Sequence, residues 1–294
     1  MLKQRVITAL FLLPAVFLLL FRLELEIFSA LIIVIVYLMA LEWAKLSGIN
    51  KSVHCSFFAL AVSLVNIAIW YFSERIDVWP SLSWPHHFKN DLPLIFLLLS
   101  LPAIIVAVTI VLSFSRNNQW WQNSFVKTAL AFILLPALYV SLVSVRSQGY
   151  LEGDFYFGAK LVLFMLLMIW AADIGAFVTG KLFGKHKLTK VSPNKTWEGA
   201  IGGLCFTCLV GWMGISILGL NVSNRLEYMS IILLLGIISV FGDLFESALK
   251  RVANIKDSGN LLPGHGGLLD RLDSTITVAP IFYLSFSYLE LFNV

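Results

Sequence analysis

The chain has 294 residues, of which 59% are hydrophobic and only 13% are charged, with a formal net charge of +4. Soluble domains are typically about 45–50% apolar and about 25% charged, so this composition excludes an ordinary soluble protein. It predicts an all-α, polytopic integral membrane protein.

Apolar runs of about 20 residues, the length needed to cross a membrane, predict the elements in chain order. Lys3 and Arg5 precede the first run as in a secretory signal, but no small-residue cleavage site follows, so this run is expected to stay as a helix. Because the number of runs is odd, the two termini are expected on opposite sides. The sequence predicts about nine transmembrane helices: 6–21, 25–43, 53–72, 93–113, 125–145, 158–180, 199–219, 226–249 and 274–292.

Lysine and arginine are distributed unevenly between the two sets of connecting segments. Cytoplasmic connections of membrane proteins carry an excess of these residues. With the N-terminus inside, fifteen of the 21 basic residues fall on the cytoplasmic side and six on the other. This bias predicts a cytoplasmic N-terminus and places two polar segments, 180–199 and 247–274, in the cytosol.

The polar side chains are concentrated in the second half of the chain. Residues 1–150 hold about five of the predicted spans and are expected to be a transmembrane scaffold, with Glu42 as an acid near the end of the second span. Residues 151–294 are expected to form the catalytic region, with the active site at the cytosolic face. His86 and His87, in a connection on the opposite face, are expected to be solvated.

Four acidic residues near the cytosolic boundary indicate a site. Asp270 and Asp273 are three residues apart, so on a helix their carboxylates repel each other unless a cation lies between them. Mg²⁺ prefers such oxygen ligands and completes its shell with water and substrate phosphates, whereas a solvated helix start is the alternative. Asp173 and Asp243 lie in apolar helices, where an acid needs a polar cavity or a partner. The alternative for Asp173 is a helix-to-helix hydrogen bond, and the alternative for Asp243 is that it is an interfacial acid near Lys250.

Two loop motifs have the chemistry for binding phosphates. The glycines of PGHGG, residues 263–267, let backbone amides turn towards an anion, although glycine-rich turns are common. In SPNKTWEG, residues 192–199, Ser192 and Pro193 are expected to start a helix with Lys195 in its first turn. The five lysines of the longer loop 181–195 attract an anion, but the charge bias of cytoplasmic loops also produces them. Three glycines are expected to allow close helix packing: Gly199, Gly202 and Gly203.

The longest motif resembles a family signature. Its residues, spacing included, are similar to those of the bacterial phosphatidate cytidylyltransferase (CDP-diacylglycerol synthase) family: Ser247, Lys250, Arg251, Lys256, Asp257, Pro263, His265, Gly266, Gly267, Asp270, Arg271 and Asp273. ADIGAF, GKLFGKHKL, SPNKTWEG and GDLFES also resemble blocks of this family, as does EWAKLSG in the first half. Two positions depart from the common pattern: Ile174 replaces a hydroxyl residue, and Asn194 stands where Lys or Gly is usual.

This resemblance implies a nucleotidyltransferase of phospholipid biosynthesis that converts CTP and phosphatidic acid to CDP-diacylglycerol and pyrophosphate at the inner (plasma) membrane. It implies a homodimer and Mg²⁺, in some members with a second cation, and no nucleic acid. The implied metal ligands are Asp243, Asp270 and Asp273, with Asp173 and Lys195 as further catalytic residues. The residues implied to bind substrate are mostly basic or small: Ser192, Lys195, Thr196, Lys250, Arg251, Lys256, His265, Gly266, Gly267 and Arg271.

Two other classes are alternatives. A membrane transporter for an anionic solute would have polar residues near the midplane, often between repeated halves, whereas here they gather at one face of one half. Another CDP-lipid membrane transferase, the CDP-alcohol phosphotransferase, has a D-x-x-D-G-x-x-A-R run, which this chain lacks.

Overall fold

The computed structural model describes residues 2–73, 92–115, 120–150 and 153–291, which are mostly helical. A short 3-10 helix, Trp120–Gln122, precedes the fifth α-helix. The α-helices of these ranges are α1 (Leu2–Phe21), α2 (Leu25–Leu46), α3 (Ser52–Phe72), α4 (Leu92–Ser113), α5 (Ser124–Arg146), α6 (Phe157–Phe183), α7 (Trp197–Leu218), α8 (Arg225–Val252) and α9 (Leu269–Tyr288).

The all-α, polytopic class predicted from composition is confirmed. Each predicted span corresponds to one of the helices, and most helix ends lie within a few residues of the predicted limits. Seven helices, α2 to α8, are long and apolar enough to cross a membrane, while α1 contributes a shorter apolar stretch, Leu10–Phe21. The count of nine transmembrane helices therefore stays a prediction. His86 and His87 lie outside the described residues.

Polar side chains and glycine set several helix ends. Asn123 Oδ1 accepts a hydrogen bond from the Phe125 amide (2.9 Å) at the start of α5. Asn224 Oδ1 accepts from the Leu226 amide (3.1 Å) at the start of α8. Such caps satisfy amides that have no partner within the helix. Gly219, with φ of 66°, ends α7 in the left-handed conformation that glycine adopts easily.

The helix α5 lies at the centre of the bundle. It packs against α2, α3, α4, α6 and α9, and it is the most buried of the seven apolar helices. Aromatic rings of α6, α8 and α9 pack on one another: Phe282 and Phe286 stack with centroids 4.1 Å apart, and Phe164 and Tyr228 contact Phe286. The contacts of α5 with α6 and α9 join the two halves of the sequence.

Close packing of α6 against α7 depends on glycines, as the sequence predicts. A Cβ at Gly202 would collide with the Thr179 side chain, and one at Gly203 would lie 2.6 Å from the Ala172 carbonyl oxygen. Small residues at such contacts let two helix backbones approach each other in a membrane. The contact fixes the end of α6 beside the start of α7.

Two basic residues of the charge count are buried and hold helix ends together. Lys127 Nζ donates to the Leu46 carbonyl (2.8 Å) at the end of α2. Arg146 Nε donates to the Leu20 carbonyl (2.9 Å) at the end of α1, and one of its terminal nitrogens donates to Leu23 O (3.3 Å). Cations at the last carbonyls of a helix are favourable, so these side chains join α5 to α1 and α2.

Helices from both halves meet at one end of the bundle. The start of α9 contacts the end of α2, where Glu42 accepts from the Leu269 amide (2.8 Å). The start of α1 contacts the loop before α9, since Thr8 Oγ1 donates to Pro263 O (2.8 Å). The loop between α6 and α7 lies at the same end and contacts α8. All the predicted site residues lie at or near this end.

Candidate active site

A cavity of about 480 Å³ lies between α6, α7, α8 and the loop between α6 and α7. Its volume is in the usual range for small-molecule sites. Five of the predicted site residues line it: Asp173, Ser192, Lys195, Thr196 and Asp243. Apolar side chains such as Phe177 and Val240 complete the wall, so the cavity combines charged groups with the surface of apolar helices.

The loop 184–196 folds back on itself and carries Lys195 to the cavity. The Leu188 amide donates to the Lys195 carbonyl (2.8 Å). Glu198, in the first turn of α7, holds the other side of the loop: its Oε2 accepts from the His186 amide (3.3 Å), and its Oε1 is hydrogen-bonded to His186 Nδ1 (2.6 Å). The loop is therefore anchored to α7 through Glu198.

The predicted helix start at Ser192 and Pro193 is wrong. The Lys195 amide donates to Ser192 O (3.0 Å) in a turn, and α7 begins only at Trp197. Thr196 is its N-cap, because its hydroxyl accepts from the Gly199 amide (3.1 Å). A threonine three residues before a helical amide is the sequence signal for this cap. The Ser192-Pro193 pair carries a similar signal and led to the wrong start.

Three acids from three different helices form a group at the cavity. Asp173 of α6 and Asp243 of α8 line it, and their carboxylates and that of Asp273 of α9 lie close enough to repel one another. Lys195 Nζ forms an ion pair with Asp243 Oδ2, and its charge also offsets the repulsion at Asp173 and Asp273. The structure thus brings together three of the four acids selected from the sequence.

The fourth acid, Asp270, belongs to an adjacent buried cluster, whose Glu246 carboxyl also interacts with Asp273. Lys250 Nζ lies 2.6 Å from Asp270 Oδ1 and 2.5 Å from Glu246 Oε2. The side chains of Asp270 and Glu246 are 5% and 4% exposed, so the ion pairs are shielded from solvent. The cation that contacts Asp270 in the structure is therefore Lys250.

Asp270 also organises the glycine-rich loop that precedes α9. Its Oδ2 accepts from the Gly267 amide (2.7 Å), the Ser258 amide (2.8 Å) and Ser258 Oγ (2.9 Å). Gly264 and Gly266 have φ of 74° and 85°, a conformation that favours glycine. At least one amide of the PGHGG motif, that of Gly267, is thus directed at a carboxylate of the protein.

The remaining predicted residues lie around these two clusters. Arg271 is exposed, and its charge acts on Asp173. Arg251 Nε donates to Val191 O (3.4 Å) in the loop before α7. Lys256 is exposed, and His265 is half-buried. His265 Nδ1 is buried and has no hydrogen-bond partner within the described ranges. Roles for these four in substrate binding stay predictions.

The implied Mg²⁺ needs oxygen donors from the protein. Within the described ranges, no three His, Cys, Asp or Glu side chains lie close enough to hold one ion together. One or two carboxylates are enough for Mg²⁺, which takes its other ligands from water and phosphates. Asp243 and Asp273 provide such oxygens beside the cavity, so the donor chemistry fits. The metal roles of Asp243, Asp270 and Asp273 stay predictions: both oxygens of Asp270 already have protein donors, and Asp243 Oδ2 is paired with Lys195.

Two acids of the site, Glu246 and Glu42, are missing from the sequence prediction, and Glu246 is the one that contacts Lys250. Glu42 is 6% exposed in α2, and its carboxylate contacts the start of α9 and the loop before it. The signal available was an acid at the end of an otherwise apolar span, within the EWAKLSG block. Because Glu42 lies in the half that is predicted to be scaffold, the sequence did not indicate its contact with the site.

Comparison with known proteins identifies the family. The model of the cytidylyltransferase family matches residues 3–289. The chain is 34% identical over 283 residues to phosphatidate cytidylyltransferase of Pseudomonas aeruginosa, covering 96% of both chains. It is 32% identical over 290 residues to that of Haemophilus influenzae, covering 96% of this chain and 97% of the relative. It is 33% identical over 255 residues to that of Helicobacter pylori, covering 86% and 85%. These matches confirm the family predicted from the motifs: the chain belongs to the cytidylyltransferase family.

Proposed function

We propose that this protein transfers the cytidylyl group of CTP to phosphatidic acid, giving CDP-diacylglycerol and pyrophosphate. The observation that carries this proposal is the cavity in which Asp173 and Asp243, two acids of apolar helices, meet the loop lysine Lys195. One substrate is a soluble anion and the other is a phosphate at the membrane surface. A charged cavity at the end of an apolar helix bundle suits both, and the similar bacterial relatives carry the name of this activity.

The reaction brings two anions together at one phosphorus. An oxygen of the phosphatidate phosphate attacks the α-phosphorus of CTP. The bond from that phosphorus to the oxygen bridging to the β-phosphorus breaks, and pyrophosphate leaves with the electron pair. Positioning and charge neutralisation supply most of the catalysis in such transfers. Lys195 neutralises phosphate charge in this proposal, and Asp243 holds its ammonium group at the cavity wall.

Mg²⁺ is part of this proposal, with Asp243 and Asp273 as its protein ligands and Asp173 beside them. When bound, it supplies positive charge to the phosphates as charge develops on the leaving pyrophosphate. Asp270 is proposed to support these ligands through the loop that it holds. The dependence is tested by adding excess chelator to the purified enzyme, which should abolish turnover until Mg²⁺ is restored.

The cavity is proposed to open at the cytosolic face of the inner membrane. The excess of basic residues on the side of the N-terminus supports this orientation. Reporter fusions after Gly184 and after Val294 should report opposite sides of the membrane, and the same side for both would contradict nine spans. The homodimer implied by resemblance belongs to the proposal and is tested by native mass spectrometry of the detergent-solubilised protein.

The activity is tested with purified protein, CTP labelled at the α-phosphate and phosphatidic acid in mixed micelles. Label should pass to the lipid, and pyrophosphate should be released in equal amount. Lys195→Ala should lower this activity by orders of magnitude, whereas Lys187→Ala, at an exposed lysine of the same loop outside the cavity, should keep it. No labelled lipid with the wild-type protein would overturn the proposal.

Direct attack by phosphatidate has a stereochemical consequence. A single in-line displacement inverts the configuration at the α-phosphorus and forms no nucleotidyl-enzyme. Retention with an α-thio analogue of CTP, or exchange of pyrophosphate into CTP without lipid, would demonstrate a covalent intermediate instead. Attention would then turn to the nucleophiles of the motifs, Ser192, Ser247 and His265.

A further inference from the structure

Glu42 lies in the half of the chain that the sequence predicts to be scaffold, yet its side chain reaches the loop before α9. It is 6% exposed, and no ion pair involves it in the described part of the chain. A buried carboxylate that lacks a cation needs hydrogen-bond donors. The identity of these donors defines the role of Glu42.

The donors come from the first turn of α9 and from the loop before it. Glu42 Oε1 accepts from the Leu268 amide (3.1 Å), and Oε2 accepts from the Leu269 amide (2.8 Å). The first amides of a helix have no partners within it, and negative charge is favourable there. Leu268 has no capping side chain of its own. Glu42 therefore caps α9 from another helix.

Two glycines allow the loop backbone to reach this carboxylate. A Cβ at Gly259 would collide with Glu42 Oε1, and a Cβ at Gly267 would collide with both Ser258 Oγ and Glu42 Oε2. Any other residue at either position would displace either the Glu42 carboxylate or the loop. These two glycines are thus explained by the close contact of the loop with Glu42 and Ser258.

Ser258 connects Glu42 to the acid of the neighbouring cluster. Its Oγ lies 3.0 Å from Glu42 Oε2 and 2.9 Å from Asp270 Oδ2. Each of the two carboxylates holds both ends of the same loop: Glu42 contacts Ser258 and Leu268, and Asp270 accepts from the Ser258 and Gly267 amides. The helix that begins at this loop carries Asp273 one turn further on, and Asp273 belongs to the acids at the cavity.

We propose that Glu42 is a positioning residue of the active site. By fixing the first turn of α9 and the loop before it, Glu42 sets the position of the Asp273 carboxylate relative to Asp243. It lies outside the cavity lining. This inference rests on the proposed cytidylyltransferase activity.

The test is Glu42→Gln, which keeps the shape of the side chain but offers only one accepting oxygen to the two amides of α9. The NH2 group of glutamine then faces the N–H of Leu268 or Leu269, and two donors cannot form a hydrogen bond. We expect kcat to fall about 10–100-fold, as for other residues that orient active-site carboxylates, with KM for CTP within about threefold of wild type. Hydrogen exchange at the Leu268 and Leu269 amides should become faster. The matched control is Glu26→Gln, an exposed acid at the opposite end of α2, which should keep wild-type kcat.

The outcomes separate this inference from the proposed function. An inactive wild-type protein overturns both. An active wild type and a folded Glu42→Gln variant with unchanged kcat overturn the inference alone, even if the melting temperature falls. If Glu42→Gln does not fold, Ser258→Ala decides, because it removes only the hydroxyl between the two carboxylates. A kcat lowered about tenfold supports the positioning role, and a wild-type kcat overturns it.

Discussion

Replacing Lys250 by methionine should destabilise the protein, because it removes the cation between two buried acids. The ammonium nitrogen lies 2.5 Å from Glu246 Oε2 and 2.6 Å from Asp270 Oδ1, and the lysine side chain is 14% exposed. Removing one partner of a buried ion pair costs about 3–5 kcal/mol, since the remaining charge is left uncompensated. Methionine keeps an unbranched apolar chain, so the loss of charge accounts for most of this change.

The cost should be divided unequally between the two acids. Asp270 keeps the Ser258 and Gly267 amides as donors, and it shares the Ser258 hydroxyl with Glu42. Glu246 Oε1, in contrast, has no hydrogen-bond partner among the residues that the structure describes. Combining Lys250→Met with Glu246→Gln removes the less supported charge and should recover about 1–2 kcal/mol of the unfolding free energy.

The unfolding free energy is measured by titrating the protein from a mild detergent into SDS and following tryptophan fluorescence. Lys256→Met is the matched control, because Lys256 is exposed in the loop that follows α8; it should change the free energy by less than about 0.5 kcal/mol. A Lys250→Met variant as stable as wild type would refute the reasoning. If that variant instead showed a raised KM for CTP, Lys250 would bind phosphate, as its motif predicts.

Three further predictions concern the cavity and the helix packing. Asp243→Asn should lower kcat/KM for CTP about 100-fold or more in the labelled-CTP assay, because it removes the ion-pair partner of the loop lysine at the reaction centre; a folded, fully active variant would contradict this role. Glu198→Gln should raise KM for CTP about tenfold by loosening the loop 184–196, and an unchanged KM would separate that loop from nucleotide binding. Gly202→Ala should lower the unfolding free energy by about 1–3 kcal/mol in the SDS titration, because its Cβ would collide with Thr179; wild-type stability would show that α6 can shift without loss.

The helices could be predicted closely because the hydropathy and length of an apolar segment can be taken from the segment itself, without knowledge of its neighbours in the fold. A run of about 20 apolar residues must form a helix in a membrane, where backbone groups find no water. The starts of helices were harder to predict, since a cap depends on which side chain reaches which amide. Thr196 and Ser192 are both suitable caps by residue type, and only the structure distinguishes them.

The site was predicted in part for a similar reason. Asp173 and Asp243 were selected because acids in apolar helices need a polar environment, and both line the cavity. Spacing along one helix placed Asp270 beside Asp273 but could not show that Lys250, from another helix, contacts Asp270. Glu42 shares no local motif with α9, because 226 residues separate it from Leu268 in the sequence. The division of the chain at residue 150 stays a prediction, although α2 contributes to the loop before α9.

The contact between Glu42 and α9 also has a consequence for biosynthesis. The chain emerges from the ribosome from its N-terminus, so α2 enters the membrane long before α9. Until α9 follows, the carboxylate of Glu42 has none of the three donors that it has in the folded protein. We expect this buried acid to stay at the water-exposed end of α2 during insertion, and the active site to form only when the last of the described helices is in place.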